Sequence, residues 1–156
     1  MEKKKILFVC LGNICRSPAA EGIMKSLIES RGLNDKFEID SAGTGRWHIG
    51  QLPDKRMRIH ASRRGITLDH KCRQVTSSDF DYFDMIIGMD SMNIEDLRDM
   101  ASSPEELAKI HSMGEFLDIA SRYDHIPDPY YEGAEGFELV LDLLENGCSN
   151  LLKQIS

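Results

Sequence analysis

Ile6-Leu7-Phe8-Val9-Cys10 is an unbroken apolar run of strand length, and within eight residues the pattern becomes helical. Gly12-Asn13 makes the turn, Ser17 can cap a helix, and Pro18 suits a first helical position. Ala19, Ala20, Ile23, Met24, Leu27 and Ile28 then recur at three- and four-residue spacing until Arg31-Gly32. That apolar stripe must cover a sheet. Phe37–Ala42 reads as a second strand, so the first forty residues form a βαβ unit.

The alternation continues. After a Gly-rich loop from Gly43 to Pro53, Asp54–Arg64 reads as a helix and Met85–Met89 as a third buried strand. Asp90 or Ser91 can cap a helix carrying Ile94, Leu97 and Met100, and another can begin after Ser103-Pro104. Glu115–Leu117 is read as a fourth strand. Phe137, Val140, Leu141, Leu144, Cys148, Leu151, Leu152 and Ile155 mark one face of a final helix. This order predicts a doubly wound α/β fold with helices on both faces of the sheet, and ligands beyond the carboxyl ends of the strands. The first strand-to-helix loop is the leading candidate. Between Asp118 and Gly136 no period is visible, and such loops are often functional.

The 156 residues suit one domain, 1–156, without repeats or linkers. The chain is 41% hydrophobic and 29% charged, and no apolar run reaches the roughly 18 residues of a membrane helix. A net charge of -7 disfavours nucleic acid and anionic membranes as general partners, leaving room for a local basic pocket. Lys3, Lys4 and Lys5 precede the first apolar run, but Gly12 and Asn13 break it before it reaches signal-peptide length, so a cytoplasmic protein is expected. Four cysteines, at 10, 15, 72 and 148, are too few and too scattered for a disulfide scaffold and point to reduced thiols.

Cys10-Leu11-Gly12-Asn13-Ile14-Cys15-Arg16-Ser17-Pro18 joins a nucleophile, a tight turn, a cation and a helix start. Consecutive backbone N–H groups in such a turn form an anion nest, and the helix start adds a favourable field for a phosphate dianion. Arg16 would close the cradle with its planar fork. Thiols at helix starts beside cations ionise more readily than free ones, so the loop that binds the anion also arms Cys10. Gly12 and Asn13 tolerate positive φ, and Ser17 can donate to the thiolate, cap the helix, or both.

Cys-x5-Arg-Ser directly after the opening strand, in VCLGNICRSP, resembles the low-molecular-weight protein tyrosine phosphatase family. The likeness extends through Asp128-Pro129-Tyr130-Tyr131 and the last helix, covering essentially the whole chain. It implies a three-layer, four-stranded parallel sheet of flavodoxin-like order 2-1-3-4, phosphate bound by residues 11–17 (Leu11, Gly12, Asn13, Ile14, Cys15, Arg16, Ser17), and a cysteinyl-phosphate intermediate. It implies no metal and no cofactor, tyrosine-phosphorylated proteins as substrates, and inorganic phosphate as product. Pro127 and Pro129 restrict the backbone around Asp128, a candidate general acid with Asp124 as local competitor. The resemblance selects Asp128. It also places Asn13, Ser17, Ser41 and His70 in a hydrogen-bond network behind the loop, although Ser41 and His70 could equally be structural. Trp47 and His48 in the Gly-rich loop, with Tyr130 and Tyr131, are candidates for the walls of a slot that takes a phenyl ring. Tyr131 is alternatively a packing residue or a phosphorylation site, as in some relatives. Cys15 can form a disulfide with Cys10 and guard it from overoxidation.

Other readings are weaker. The loop lacks Gly-Lys-Ser/Thr, and Gly43-Thr44-Gly45 lacks the third glycine of a dinucleotide fingerprint. Zinc on Cys10, Cys15, His70 and Cys72 would need better spacing. A thiol-dependent arsenate reductase would need a close downstream cysteine pair, which Cys72 and Cys148 do not make. A silent phosphotyrosine-binding module would need neither Cys10 nor Asp128.

Overall fold

The computed structural model describes residues 2–156. β1 (Lys4–Cys10), β2 (Phe37–Gly43), β3 (Met85–Gly88) and β4 (Ile110–Ser112) form one parallel sheet of order β2-β1-β3-β4. α1 (Arg16–Ser30), α2 (Lys55–Ser62), α3 (Asp79–Tyr82), α4 (Ser91–Met100), α5 (Pro104–Ala108) and α6 (Ala134–Ile155) complete the fold. β1 is buried on both faces because its alternate side chains serve two cores. Ile6, Phe8 and Cys10 pack with α1 and α6, whereas Leu7 and Val9 pack with Phe80, Phe83 and Leu97 of α3, its C-cap and α4. Those are the three expected layers. No helix among the described residues is long and apolar enough to cross a membrane.

Three local expectations are corrected. The fourth strand is Ile110–Ser112, and Glu115 and Phe116 belong to a 3-10 turn, Met113–Phe116. Backbone pairing of Ile86 with Ile110 and Gly88 with Ser112 makes this short edge strand, whose three half-buried residues carry no apolar signal. In the turn, a Cβ at Gly114 would fall 1.8 Å from the Asp124 carbonyl oxygen, so only glycine lets it pass beneath the 118–133 segment. α1 begins at Arg16, capped by Cys15 without a side-chain bond, and Ser17 lies inside the first turn. Gly12 is not at positive φ; Asn13 alone in the loop is, at 57°.

α2 and α4 start at strong caps. Asp54 accepts from the amides of Arg56 and Met57, and Asp90 forms a capping box with Asn93. Both caps lie on the side of the sheet where β1 and β3 end. β1 also separates the crossover to β2 from the crossover to β3, so its carboxyl end is the topological switch point.

Candidate active site

The loop leaving β1 wraps a cavity of about 270 Å³ lined by Cys10, Leu11, Gly12, Ile14, Cys15, Arg16, Trp47, His48, Asp128, Tyr130 and Tyr131. Cys10 enters the lining from the end of β1, Trp47 and His48 from the loop after β2, and Asp128, Tyr130 and Tyr131 from the segment before α6. Gly43 permits the tight curl, since a Cβ there would lie 2.7 Å from the Leu11 carbonyl oxygen.

Asn13, Ser17, Ser41 and His70 stand behind the loop as one network. Asn13 Nδ2 donates to Ser17 Oγ at 2.8 Å and Ser41 Oγ at 3.0 Å, and Asn13 Oδ1 accepts from the Arg73 amide at 3.0 Å. Because Ser17 Oγ accepts from Asn13, its own proton is free for Cys10 Sγ, 3.0 Å away, in preference to the Ala42 carbonyl at 3.4 Å. Ser41 donates onward to Glu21 Oε1 at 2.6 Å. His70 bridges Glu21 (3.2 Å) and Asp40 (3.3 Å). The bond to Glu21 raises the His70 pKa. Burial would push Glu21 up, but its bonds to His70, Lys25 and Ser41 prevail and hold it low. Glu21, Asp40 and His70 do bring ligand atoms within 4.8 Å of one another, yet Lys25 and Arg73 already bond the two carboxylates.

Arg16 is 3% exposed and fixed from two sides. Its Nη1 donates to Asp90 Oδ2 at 2.6 Å and to the Ile126 carbonyl at 2.9 Å, and its Nη2 lies 3.9 Å from Asp128 Oδ2. Burial alone would lower its pKa; Cys10 and Asp90 overcome that and raise it. Asp90 is held low by Arg16 and the Asn93 amide against its own burial. Asp128 Oδ1 accepts the Tyr130 amide at 3.0 Å, which aims its other oxygen at the cavity. Asp124 instead bonds His125 and does not line the cavity, so the structure separates the two acidic competitors.

Sequence reasoning missed Asp90 as a partner of Arg16, having read it only as a cap. It also missed Glu21, whose signal was a carboxylate interrupting an apolar helix stripe. Arg56 was missed as well. Its guanidinium grips Asp54 through Nε and Nη2, and lies 5.2 Å from the Tyr130 ring centre and 4.8 Å from that of Phe137. All four cysteines are free and buried. Burial raises Cys15, and Asp54 raises it further; burial also lifts Cys72, to about 11.

The same fold occurs in the crystal structure of a protein tyrosine phosphatase from Entamoeba histolytica with Hepes in its active site. The TM-score is 0.94 at 45% identity, covering 98% of this chain and 97% of that one. A Drosophila arginine phosphatase superposes with a TM-score of 0.90 at 33% identity, covering 97% and 98%. A low molecular weight protein-tyrosine-phosphatase of Bacillus subtilis is 44% identical over 151 residues, 96% of this chain and 94% of the relative. The profile described as low molecular weight phosphotyrosine protein phosphatase matches residues 5–156. The chain belongs to the low molecular weight phosphotyrosine protein phosphatase family.

Proposed function

We propose that this chain hydrolyses phosphotyrosine and aryl phosphate monoesters through a phosphate covalently carried on Cys10. The carrying observation is that Cys10, Arg16 and Asp128 line one cavity, with Arg16 Nη2 3.9 Å from Asp128 Oδ2. Phosphate oxygens would take the amides of residues 11–17 and the edge of Arg16 left by Asp90 and Ile126. The Cys10 thiolate attacks phosphorus in line and the P–O bond to the phenol breaks. Asp128 delivers its proton to the leaving phenolate. As a carboxylate it then takes a proton from water, hydroxide attacks phosphorus, the S–P bond breaks, and inorganic phosphate leaves with the thiolate restored. Ser17 donates to the sulfur whenever it carries charge. Neither a metal nor a cofactor enters this cycle.

Trp47, His48, Tyr130 and Tyr131 would grip a flat ring, which favours tyrosine over the arginine named for the Drosophila neighbour. Reduced thiols and the acidic chain support a single cytoplasmic domain, residues 1–156, acting on tyrosine-phosphorylated proteins rather than nucleic acid or membrane. Cys72 donates to the Asn13 carbonyl and Cys148 sits in the α1–α6 core, an arrangement unsuited to the thiol relay of an arsenate reductase.

Rapid quenching with labelled aryl phosphate should trap phosphate on Cys10, with Cys10→Ser as the control. Release from a phosphotyrosine peptide should greatly exceed that from a phosphoarginine peptide. Binding without turnover would instead support a silent module, and arsenate-dependent thiol oxidation a reductase.

A further inference from the structure

Charge is divided unevenly along the chain. Residues 46–73 hold eight Lys and Arg against two Asp and Glu; the remainder holds 11 against 24. Within the basic stretch, Arg56, Arg64 and Arg73 are paired with Asp54, with Glu138, Asp142 and Glu145, and with Asp40 and Asp79, respectively. Among the described residues Arg46, Lys55, Arg58, Arg63 and Lys71 make no ion pair. Interleaved with them are the exposed apolar side chains Trp47, Ile49, Leu52 and Ile59. Arg58, Ile59, Arg63, Ile66 and Leu68 also border a shallow groove.

This surface is continuous with the cavity. The Gly50 amide donates to the Cys72 carbonyl and the Cys72 amide to the Gln51 carbonyl, both at 2.8 Å, which ties the rim loop to the segment carrying Lys71. The Asp54 amide donates to the Ile14 carbonyl at 2.7 Å, seating the start of α2 on the phosphate loop. The other segment that lines the cavity has the reverse sign: residues 118–135 carry five carboxylates and Arg122 as their one Lys or Arg.

We propose that the face formed by the rim loop and α2 docks an acidic stretch flanking the phosphotyrosine of a protein substrate. The inference rests on the phosphatase reading and names its substrate class. A chain leaving the cavity with Asp or Glu beside the phosphorylated residue meets unpaired cations in one direction and carboxylates in the other, so charge fixes its polarity. Exposed pairs are individually weak, but several unpaired cations on one face steer encounter and disfavour the reverse orientation. The exposed Trp47 and Ile59 add apolar contact for the same chain. A flat anionic membrane fits poorly, because it would press lipid headgroups against the acidic segment as well.

The test uses phosphotyrosine peptides of one length whose neighbours are Glu, Gln or Lys, with a small aryl phosphate as reference. At low salt kcat/KM should rank Glu over Gln over Lys, with Glu about tenfold above Gln, and high salt should compress the series. Lys55→Gln/Arg63→Gln/Lys71→Gln should bring Glu and Gln within about twofold while aryl phosphate turnover is unchanged. Equal values for Glu and Gln peptides in the parent, or a preference that survives in the triple variant, overturn the proposal. Absence of aryl phosphate turnover would sink the phosphatase reading separately. Fluorescence anisotropy of the same peptides on Cys10→Ser then decides docking: tighter binding of the Glu peptide supports it, and equal Kd values overturn it. Sedimentation with phosphatidylserine vesicles, abolished by the triple variant and accompanied by no peptide preference, would assign the face to membrane and also overturn it.

Discussion

Arg16 Nη1 lies 2.6 Å from Asp90 Oδ2, so the residue that caps the helix after β3 also holds the cation of the loop after β1. One carboxylate thereby couples two crossovers of the sheet. It also presents Arg16 in a single orientation, which a buried guanidinium needs if it is to match a tetrahedral anion.

Substitution at Asp90 separates its two tasks. Asp90→Asn keeps a good cap and loses the charge, whereas Asp90→Ala loses both, so Ala should cost about 1 kcal/mol more stability than Asn. Both should lower kcat/KM for aryl phosphate by about tenfold or more, since each releases Arg16. Urea midpoints and kinetics on the two variants check this; unchanged kcat/KM in Asp90→Asn would remove Asp90 from the site.

Asn13 combines a left-handed backbone with three side-chain hydrogen bonds. Asn13→Ala forfeits the bonds and is strained by about 1–2 kcal/mol, whereas Asn13→Gly forfeits the bonds without strain. Both are expected to be poor enzymes, with Ala the less stable. Full activity in Asn13→Gly would mean that only the backbone conformation matters.

For Asp128→Ala, turnover of phosphotyrosine should fall about 100- to 1,000-fold, against roughly tenfold or less for an aryl phosphate with a good leaving group. Side-by-side kcat values decide the matter. Equal losses would point to a positioning contribution through Arg16 rather than proton transfer.

The Glu21–His70 pair makes stability depend on pH. The His70 pKa is raised above 6.5, so its contribution is complete below that value and is lost as pH rises through the raised pKa. The Glu21 pKa is lowered below 4.5, so its contribution is present above that value and is lost as pH falls through the lowered pKa. The stability difference between the parent and His70→Asn should be greatest between these limits and shrink in alkali. Urea midpoints from about pH 5 to 10 test it, and a difference independent of pH would exclude this linkage.

Cys15 is buried, and its raised pKa leaves it protonated and unreactive toward peroxide on its own. Oxidation of Cys10 to a sulfenic acid would let Cys15 condense with it, releasing water and forming a disulfide that thiols reverse. After peroxide and then dithiothreitol, Cys15→Ala should recover much less activity than the parent, with Cys72→Ala recovering normally. Equal recovery in all three would remove Cys15 as guard.

Local signals account for much of the fold. The apolar run of β1 and the periodicities of α1 and α6 are properties of neighbouring residues, and α2 and α4 begin at caps readable in the sequence as Asp54 and Asp90. β4 was misplaced because an edge strand of three half-buried residues depends on its backbone partner rather than on its own pattern. Of the two roles the sequence offers Ser17, helix cap and thiolate donor, the structure selects the second, because Asn13 bonds its oxygen and leaves its proton for Cys10.

The sequence by itself determined the parallel α/β layout and the nine-residue turn from Cys10 to Pro18 that joins β1 to α1, because spacing, turn chemistry and helix periodicity act over a few residues. Only the tertiary structure decided which groups hold that loop to its task. Asp90 reaches Arg16 across 74 positions, the Ile126 carbonyl across 110, and Arg73 reaches Asn13 across 60. Such bonds leave no periodic trace, since the partners are chosen by where the sheet order β2-β1-β3-β4 brings loop ends together. The charge division has the same origin: residues 46–73 are legible in the chain as basic and 118–135 as acidic, but only folding brings Trp47 and His48 of the one and Asp128 and Tyr130 of the other into the lining of a single cavity.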